Sequence, residues 1–264
     1  MKTILVPLES LENGSSILQY AFDFAAFFSA KVIILKSFGI STVTGPTPSI
    51  DKALKETHLK ELTKTLENIS TKNTNFSIEL VKGGLVENCV EYMQENDIDL
   101  VISKPKHSHK TPHLFIGHVT GAMINKLECP LLLVPENYVF NLFSSILMAI
   151  KSGNIKKDDA LLPLKRILNI FPASLTLLQV KTPKLKAKDL HINNNLLQLK
   201  STLFVSENET VYHGVLEYLH EVNPDLLCVI RRKKGFFSKL WDQNTVKKSD
   251  FESRVPLLIL KGVI

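Results

Sequence analysis

Residues 86–134 recur at 212–260 in one ungapped register. Glu91-Tyr92, Asp99-Leu100 and Pro130-Leu131-Leu132 reappear as Glu217-Tyr218, Asp225-Leu226 and Pro256-Leu257-Leu258, each 126 positions on. A chain that repeats itself at this length is constrained to a duplicated architecture. The 264 residues divide into halves close to the ~100 to 150 residues at which a single hydrophobic core is comfortable. The expected domains are 1–137 and 143–264, joined by a short link.

With 44% hydrophobic and 22% charged residues, the chain fits neither a disordered polypeptide nor a disulfide scaffold. Apolar runs such as 138–150 are too short and interrupted to cross a bilayer, so no membrane association is expected. The start, Met1 to Glu9, has too short an apolar stretch for a secretory signal. Cys89, Cys129 and Cys228 are odd in number, widely spaced and set among apolar neighbours, which suits buried thiols in a reducing cytoplasm. The net charge of +6 is uneven: residues 1–140 carry 13 Lys against 15 acids, and residues 141–264 carry 19 Lys and Arg against 11 acids. All four arginines fall in the second half, so the two halves present different surfaces or meet different partners.

Local patterning gives the elements. Lys2–Leu8 is an apolar run followed by Ile17, Tyr20, Ala21, Phe24, Phe27 and Phe28 at helical spacing, hence strand then helix. Val32–Leu35 is a second strand, and Leu59, Leu62, Leu66 and Ile69 mark an amphipathic helix. Phe76–Val81, Asp99–Ser103 and Leu131–Val134 are further strands, with helices at Val86–Asn96 and Gly117–Leu127 between them. Such alternation predicts parallel β-α-β units. The pattern restarts at Ile146. Its second strand is offset by 143 instead of 126, so the second repeat is 17 residues shorter between strands two and three, and Lys181–Lys200 reads as mostly irregular chain.

Strand one ending in Pro7-Leu8-Glu9, the Asp99-Leu100-Val101-Ile102 segment, and Ile116-Gly117-His118-Val119 leading through a helix to Cys129-Pro130-Leu131-Leu132-Leu133-Val134 together resemble the universal stress protein family. The resemblance covers almost the whole chain as a tandem pair. It implies an α/β fold of two open parallel five-stranded sheets in order 3-2-1-4-5, Rossmann-like and of the adenine nucleotide α-hydrolase type, with helices on both faces. It also implies an intramolecular pseudo-dimer of the two domains.

Nucleotide-binding members of that family carry Gly-x2-Gly-x9-Gly-Ser/Thr after strand four, where glycines let the backbone approach phosphates and present N–H donors. Here those positions read Lys104, His107, Gly117 and His118, and in the second repeat Ile230, Lys233, Gln243 and Asn244. The acid that such relatives place after strand one is Glu9 in the first repeat and Lys151 in the second. Glu9, Lys104, His107, Gly117 and His118 therefore outline the candidate crevice of domain 1, the one domain in which ATP or AMP is a candidate cofactor.

His107, His109, His113 and His118 crowd together, but Lys104, Lys106 and Lys110 interleave with them and no cysteine or carboxylate joins them, so no metal is expected. A loop preceding a helix N-terminus suits an anion better. In the second repeat Arg231, Arg232, Lys233 and Lys234 precede Phe236, Phe237 and Trp241, a candidate anion-binding or nucleic-acid-binding run. No nucleophile elbow, Walker sequence or arranged acid and base supports catalysis. Three readings follow: a cytoplasmic, non-catalytic stress-response or regulatory protein with a degenerate nucleotide motif; an ATP- or AMP-binding protein using domain 1; and an anion or nucleic-acid module led by Arg231–Lys234. The partners considered are a second copy forming a homodimer, a small anion and an acidic protein.

Overall fold

The computed structural model describes residues 1–11, 14–39, 48–105, 118–155, 158–183, 186–187, 190–231 and 255–261. Two compact units emerge, one from Met1–Lys104 with His118–Phe140, the other centred on Asn141–Ile264. The first contains β1 (Thr3–Leu8), α1 (Gly14–Phe28), β2 (Lys31–Phe38), α2 (Pro48–Glu67), β3 (Phe76–Lys82), α3 (Leu85–Glu95), β4 (Leu100–Ser103), α4 (His118–Lys126) and β5 (Leu131–Leu133). Its strands run in the order β3-β2-β1-β4-β5, and every described pair is parallel. The second contains β6 (Ser145–Ile150), a 3-10 turn (Asp158–Leu161), α5 (Leu162–Ile170), β7 (Ser174–Lys181), α6 (Asn194–Leu199), β8 (Thr202–Glu207), α7 (Val211–Val222), β9 (Leu226–Arg231) and β10 (Leu257–Lys261). Its order, β8-β7-β6-β9-β10, repeats the first. The expected 3-2-1-4-5 sheets are thus both present.

Both units bury their central strands on two faces, which is why these strands read as continuous apolar runs instead of alternating ones. Ile4, Leu5, Val6, Leu100, Val101 and Ile102 are fully buried in the first unit, as are Ile146, Leu147, Met148, Leu226 and Cys228 in the second. Adjacent residues of a strand point to opposite faces. Ser37 bonds to Asn88 on α3 while Phe38 meets His58 on α2, so α2 and α3 cover opposite faces of the first sheet. Helix α2 is less amphipathic than its leucine spacing predicts: Leu62 is buried, Leu59 is exposed, and Ile69 is buried just beyond the helix end. Tyr138 and Phe140 extend the first unit past residue 137 by packing on Tyr20 of α1, with ring centroids 6.3 and 5.3 Å away.

The repeated aspartates have one job. The Asp99 carboxylate accepts the backbone N–H groups of Lys2 and Thr3 at 2.6 and 3.2 Å, joining the start of β1 to that of β4. Its counterpart Asp225 accepts from Ser144 N, Ser144 Oγ and Ser145 N at 2.7, 2.7 and 2.9 Å. Burial pushes the Asp225 carboxyl up, but the hydrogen bonds from Ser144 and Ser145 outweigh it and hold the group below its ordinary value of 3.8. A depressed carboxyl pKa stabilises the fold fully above the unfolded value, and that contribution is lost as pH falls through the lower folded value. Asp225→Asn should therefore cost about 1–2 kcal/mol at pH 7, the lower end allowing for solvent screening of a partly exposed group. The variant should also lose less stability than wild type between pH 5 and pH 3, as read by thermal melts.

Strand register corrects the length difference. Ile33 stands opposite Ser77 and its counterpart Thr176 opposite Thr202, so the second unit is shorter by 18 residues here, against the 17 expected. The additional residue is regained before α7. Nor is Lys181–Lys200 wholly irregular: α6 forms inside it, started by Asn193, whose side chain accepts Asn195 N at 2.8 Å. Asn193 thus caps a helix where irregular chain was expected.

Candidate functional site

In an open parallel sheet the ligand crevice lies at the carboxyl ends of the strands where strand order reverses. In the first unit this edge is polar. Lys36, opposite Leu8 in the β1–β2 register, is only 3% exposed, and its Nζ donates to the carbonyl oxygens of Glu9 at 2.8 Å and Ser37 at 2.6 Å. Burial lowers the Lys36 ammonium from its ordinary value, opposed by the attraction of Glu61 and Glu9. On the other face of β2, the buried Ser37 Oγ accepts from Asn88 Nδ2 at 2.9 Å, and the same nitrogen lies 3.4 Å from the Val81 carbonyl. Gly83, at φ +118°, turns the chain from β3 into α3 beside Asn88, a conformation that side-chain-bearing residues rarely adopt.

The sequence candidates fare differently. Glu9 reaches this edge: its backbone carbonyl accepts from Lys36 Nζ, and its exposed carboxylate attracts the same ammonium. Lys104 follows β4 and is engaged by Glu136, with Nζ 2.9 Å from Oε1. His118 opens α4, while His107 and Gly117 lie outside the described residues. So do the remaining loop histidines, His109 and His113. No group of three or more His, Cys, Asp or Glu suited to a metal occurs among the described residues. Sequence reasoning missed Lys36, although the signal was present: a lysine near the end of Lys31-Val32-Ile33-Ile34-Leu35-Lys36-Ser37-Phe38, a run otherwise suited to two-sided burial.

The second unit builds the same edge with different chemistry. Gln179 replaces Lys36 in the register and is also buried, its Nε2 lying 3.4 Å from the Leu190 carbonyl. Val180 and Gly214 replace Ser37 and Asn88, and a Cβ on Gly214 would stand 2.8 Å from Val180 Cγ1. Two hydrogen-bonding side chains have become a branched apolar group and the space it fills. Beyond β6, Gly153 forms a parallel bridge with Ile192, and Asn193 N donates to the Gly153 carbonyl at 3.0 Å. A Cβ at Gly153 would lie 2.6 Å from Ile192 Cα, so backbone meets backbone there. The segment 190–193 is therefore tied to the ends of both β6 and β7, at the edge where the first unit places Lys36. Arg231 ends β9, half-buried, with its guanidinium pKa lowered by burial. Arg232, Lys233 and Lys234 lie outside the described residues.

The thiols are structural. Burial pushes Cys89 up to about 12 and raises Cys129 and Cys228 as well, so none is a thiolate at neutral pH. Among the described residues no helix is long and apolar enough to cross a membrane.

Strands in the order 3-2-1-4-5 in each of two units of one chain define a tandem Rossmann-like α/β protein. The sequence model of the universal stress protein family matches residues 1–135, half of the chain and the greater part of the first unit. The chain belongs to the universal stress protein family. Its fold is similar to that of a universal stress protein from Archaeoglobus fulgidus DSM 4304, with a TM-score of 0.75, 17% identity and 98% of each chain covered. A protein of unknown function from Pseudomonas aeruginosa PAO1 is also similar, with a TM-score of 0.64, 13% identity, and 99% of this chain and 93% of that one covered. A search of curated proteins found no match.

Proposed function

We propose that this chain is a non-catalytic, regulatory universal stress protein of the cytoplasm, acting through binding, with neither repeat holding nucleotide by the family's glycine loop. The observation that carries this reading is the second unit's edge, where Gly153, just beyond β6, is bridged backbone to backbone with Ile192. The first unit supports it differently. The Lys36 ammonium is committed to two carbonyl groups and Lys104 to Glu136, so neither stands as one half of an acid and base pair. Calorimetric titration with ATP, ADP and AMP should give no saturable heat. Micromolar binding to the wild type, abolished by Gly117→Trp, would overturn the proposal.

A second reading assigns ATP or AMP to the first unit alone. It is favoured by the polar groups that persist there, Lys36, Ser37 and Asn88, where the second unit has Gln179, Val180 and Gly214. On this reading Lys36→Met removes nucleotide-dependent stabilisation while substitutions in the second unit leave it intact.

A further inference from the structure

Sheet edges in soluble proteins are normally charged or covered, because a bare edge invites another strand. The outer strand of the second unit, β8, is neither. Leu203, Phe204 and Val205 follow one another along it and are 36%, 44% and 49% exposed. In register their counterparts in the first unit are Ile78, Glu79 and Leu80, all half-buried, so an acid stands where the second unit has Phe204. Leu80 stands beside Lys36 and so shares the face of Phe38, which meets α2. Helix α2 packs on β2 and β3, and Lys82 at the end of β3 donates to Asp51 of α2 at 2.7 Å. Leu203 and Val205 lie on the equivalent face of the second unit. Between β7 and β8, however, the described chain builds the short α6, Asn194–Leu199, in place of the 20-residue α2.

Backbone direction adds to this. Ser201 N donates to the Leu175 carbonyl of β7, and successive residues of a strand turn their N–H and C=O groups to alternate sides. Leu203 and Val205 therefore bond toward β7, whereas Thr202, Phe204 and Ser206 aim both groups away from the sheet. Phe204 also rests on Tyr218 of α7, with ring centroids 5.1 Å apart, which holds its ring at the edge. Exposed apolar side chains and outward hydrogen-bonding groups thus share one strand.

That strand is complementary to itself. A two-fold axis normal to the sheet and centred on Phe204 pairs Phe204 with Phe204, Thr202 with Ser206 and Leu203 with Val205 of a second copy. The first two pairings join the residues whose backbone groups point outward, so their hydrogen bonds are exchanged in full. Leu203 and Val205 take the closer positions between those bonds, where side chains pack against each other. Charge favours the same antiparallel sense. Lys200 precedes the strand and Glu207 ends it, so Glu207 falls opposite Ser201 and next to Lys200 of the second copy. A parallel pairing would set like charge beside like.

We infer that two copies of this chain pair edge to edge through β8, antiparallel, about a two-fold axis at Phe204. The inference goes beyond the proposed function and does not depend on whether either unit binds nucleotide. One six-residue strand from each copy is small beside the ~20 to 30 residues a side of a standard interface, so the dimer is weak and depends on concentration.

Sedimentation velocity of the full chain between about 1 and 200 μM tests it, with residue-resolved hydrogen exchange at both ends of that range. The sedimenting mass is expected to rise toward that of two chains and stop there, because pairing of like edges uses both. Exchange at the Thr202, Phe204 and Ser206 amides should slow at least twofold as the dimer forms, while Leu203 and Val205, already bonded to β7, change little. Phe204→Glu copies Glu79 of the first unit and sets two carboxylates opposite each other, so it should weaken association at least tenfold with the circular dichroism spectrum and melting temperature near wild type. Val205→Lys, on the other face, should do the same. A monomer throughout the range overturns the inference. So does a dimer that keeps its affinity in either folded variant, or one that leaves exchange at Thr202, Phe204 and Ser206 unchanged. Slow exchange at those amides in the monomer also overturns it, by showing that the chain covers its own edge, and growth beyond two chains contradicts the two-fold closure.

Discussion

Gly153→Ala is expected to destabilise the second unit by about 1–3 kcal/mol, an unusually large effect for adding one methyl group beyond the end of a strand. The added carbon would meet Ile192 Cα at 2.6 Å and the Ile192 side chain at 2.9 Å. A flexible side chain can rotate away from such an encounter, but a backbone atom moves only if its segment moves. Here the segment is held by Asn193 N donating to the Gly153 carbonyl and by the Asn193 side chain, whose Nδ2 lies 3.3 Å from the Ile155 carbonyl. The strain should therefore be relieved by lifting residues 190–193 off the ends of β6 and β7. Denaturant melts would show a lower midpoint, and hydrogen exchange would rise at Asn193, whose amide faces Gly153. A melt within 0.5 kcal/mol of wild type would mean that the bridge contributes little to closing this edge.

The second large effect is a coupled one. Gly214→Asn places in α7 the residue that α3 carries as Asn88, and it should destabilise by about 1–3 kcal/mol because Val180 already occupies the space. Val180→Ser alone removes buried apolar surface and leaves a hydroxyl lacking the amide that Asn88 gives Ser37. Combined, the two substitutions rebuild the Asn88–Ser37 pair of the first unit, in which Nδ2 and Oγ are 2.9 Å apart. The double variant should be more stable than the sum of its parts by about 0.5–3 kcal/mol, the range found for residues in direct contact. Strict additivity would show that the two units do not share this packing position.

These predictions rest on features of unequal visibility in the sequence. The parallel sheets were legible because two-sided burial leaves apolar runs such as Ile4-Leu5-Val6 and Leu226-Leu227-Cys228, and because turns and helices recur between them. Asp99 and Asp225 were legible as a repeated pair, though their shared role needed the strand starts beside them. Lys36 was not recognised, since burial of an ammonium against two carbonyl groups depends on how the end of β1 meets the end of β2. The exchange of Ser37 and Asn88 for Val180 and Gly214 was hidden for another reason. Each pair is separated by dozens of residues, and neither member alone violates a local rule. The segment 190–193 was hardest to place, because its role is set by the ends of β6 and β7 and not by its own composition. The loop histidines gave no answer of either kind, as His107, His109 and His113 fall outside the described residues.

Taken together, the two edges give divergent answers to one architectural problem. The first retains buried hydrogen-bonding groups and commits its lysines internally. The second closes the equivalent place with backbone and valine. A duplicated fold can tolerate this because each sheet is stabilised by its own core, leaving the carboxyl edges free to change without loss of the scaffold.

The central claim, that neither unit holds nucleotide in the family's manner, is tested most directly by thermal unfolding of the wild-type chain with and without millimolar AMP and ATP. Ligand that binds the folded state raises its stability by mass action, by about 2.7 kcal/mol at a hundredfold excess over Kd. The account predicts no shift with either nucleotide. A rise of several degrees with AMP, lost in Gly117→Trp, would contradict it.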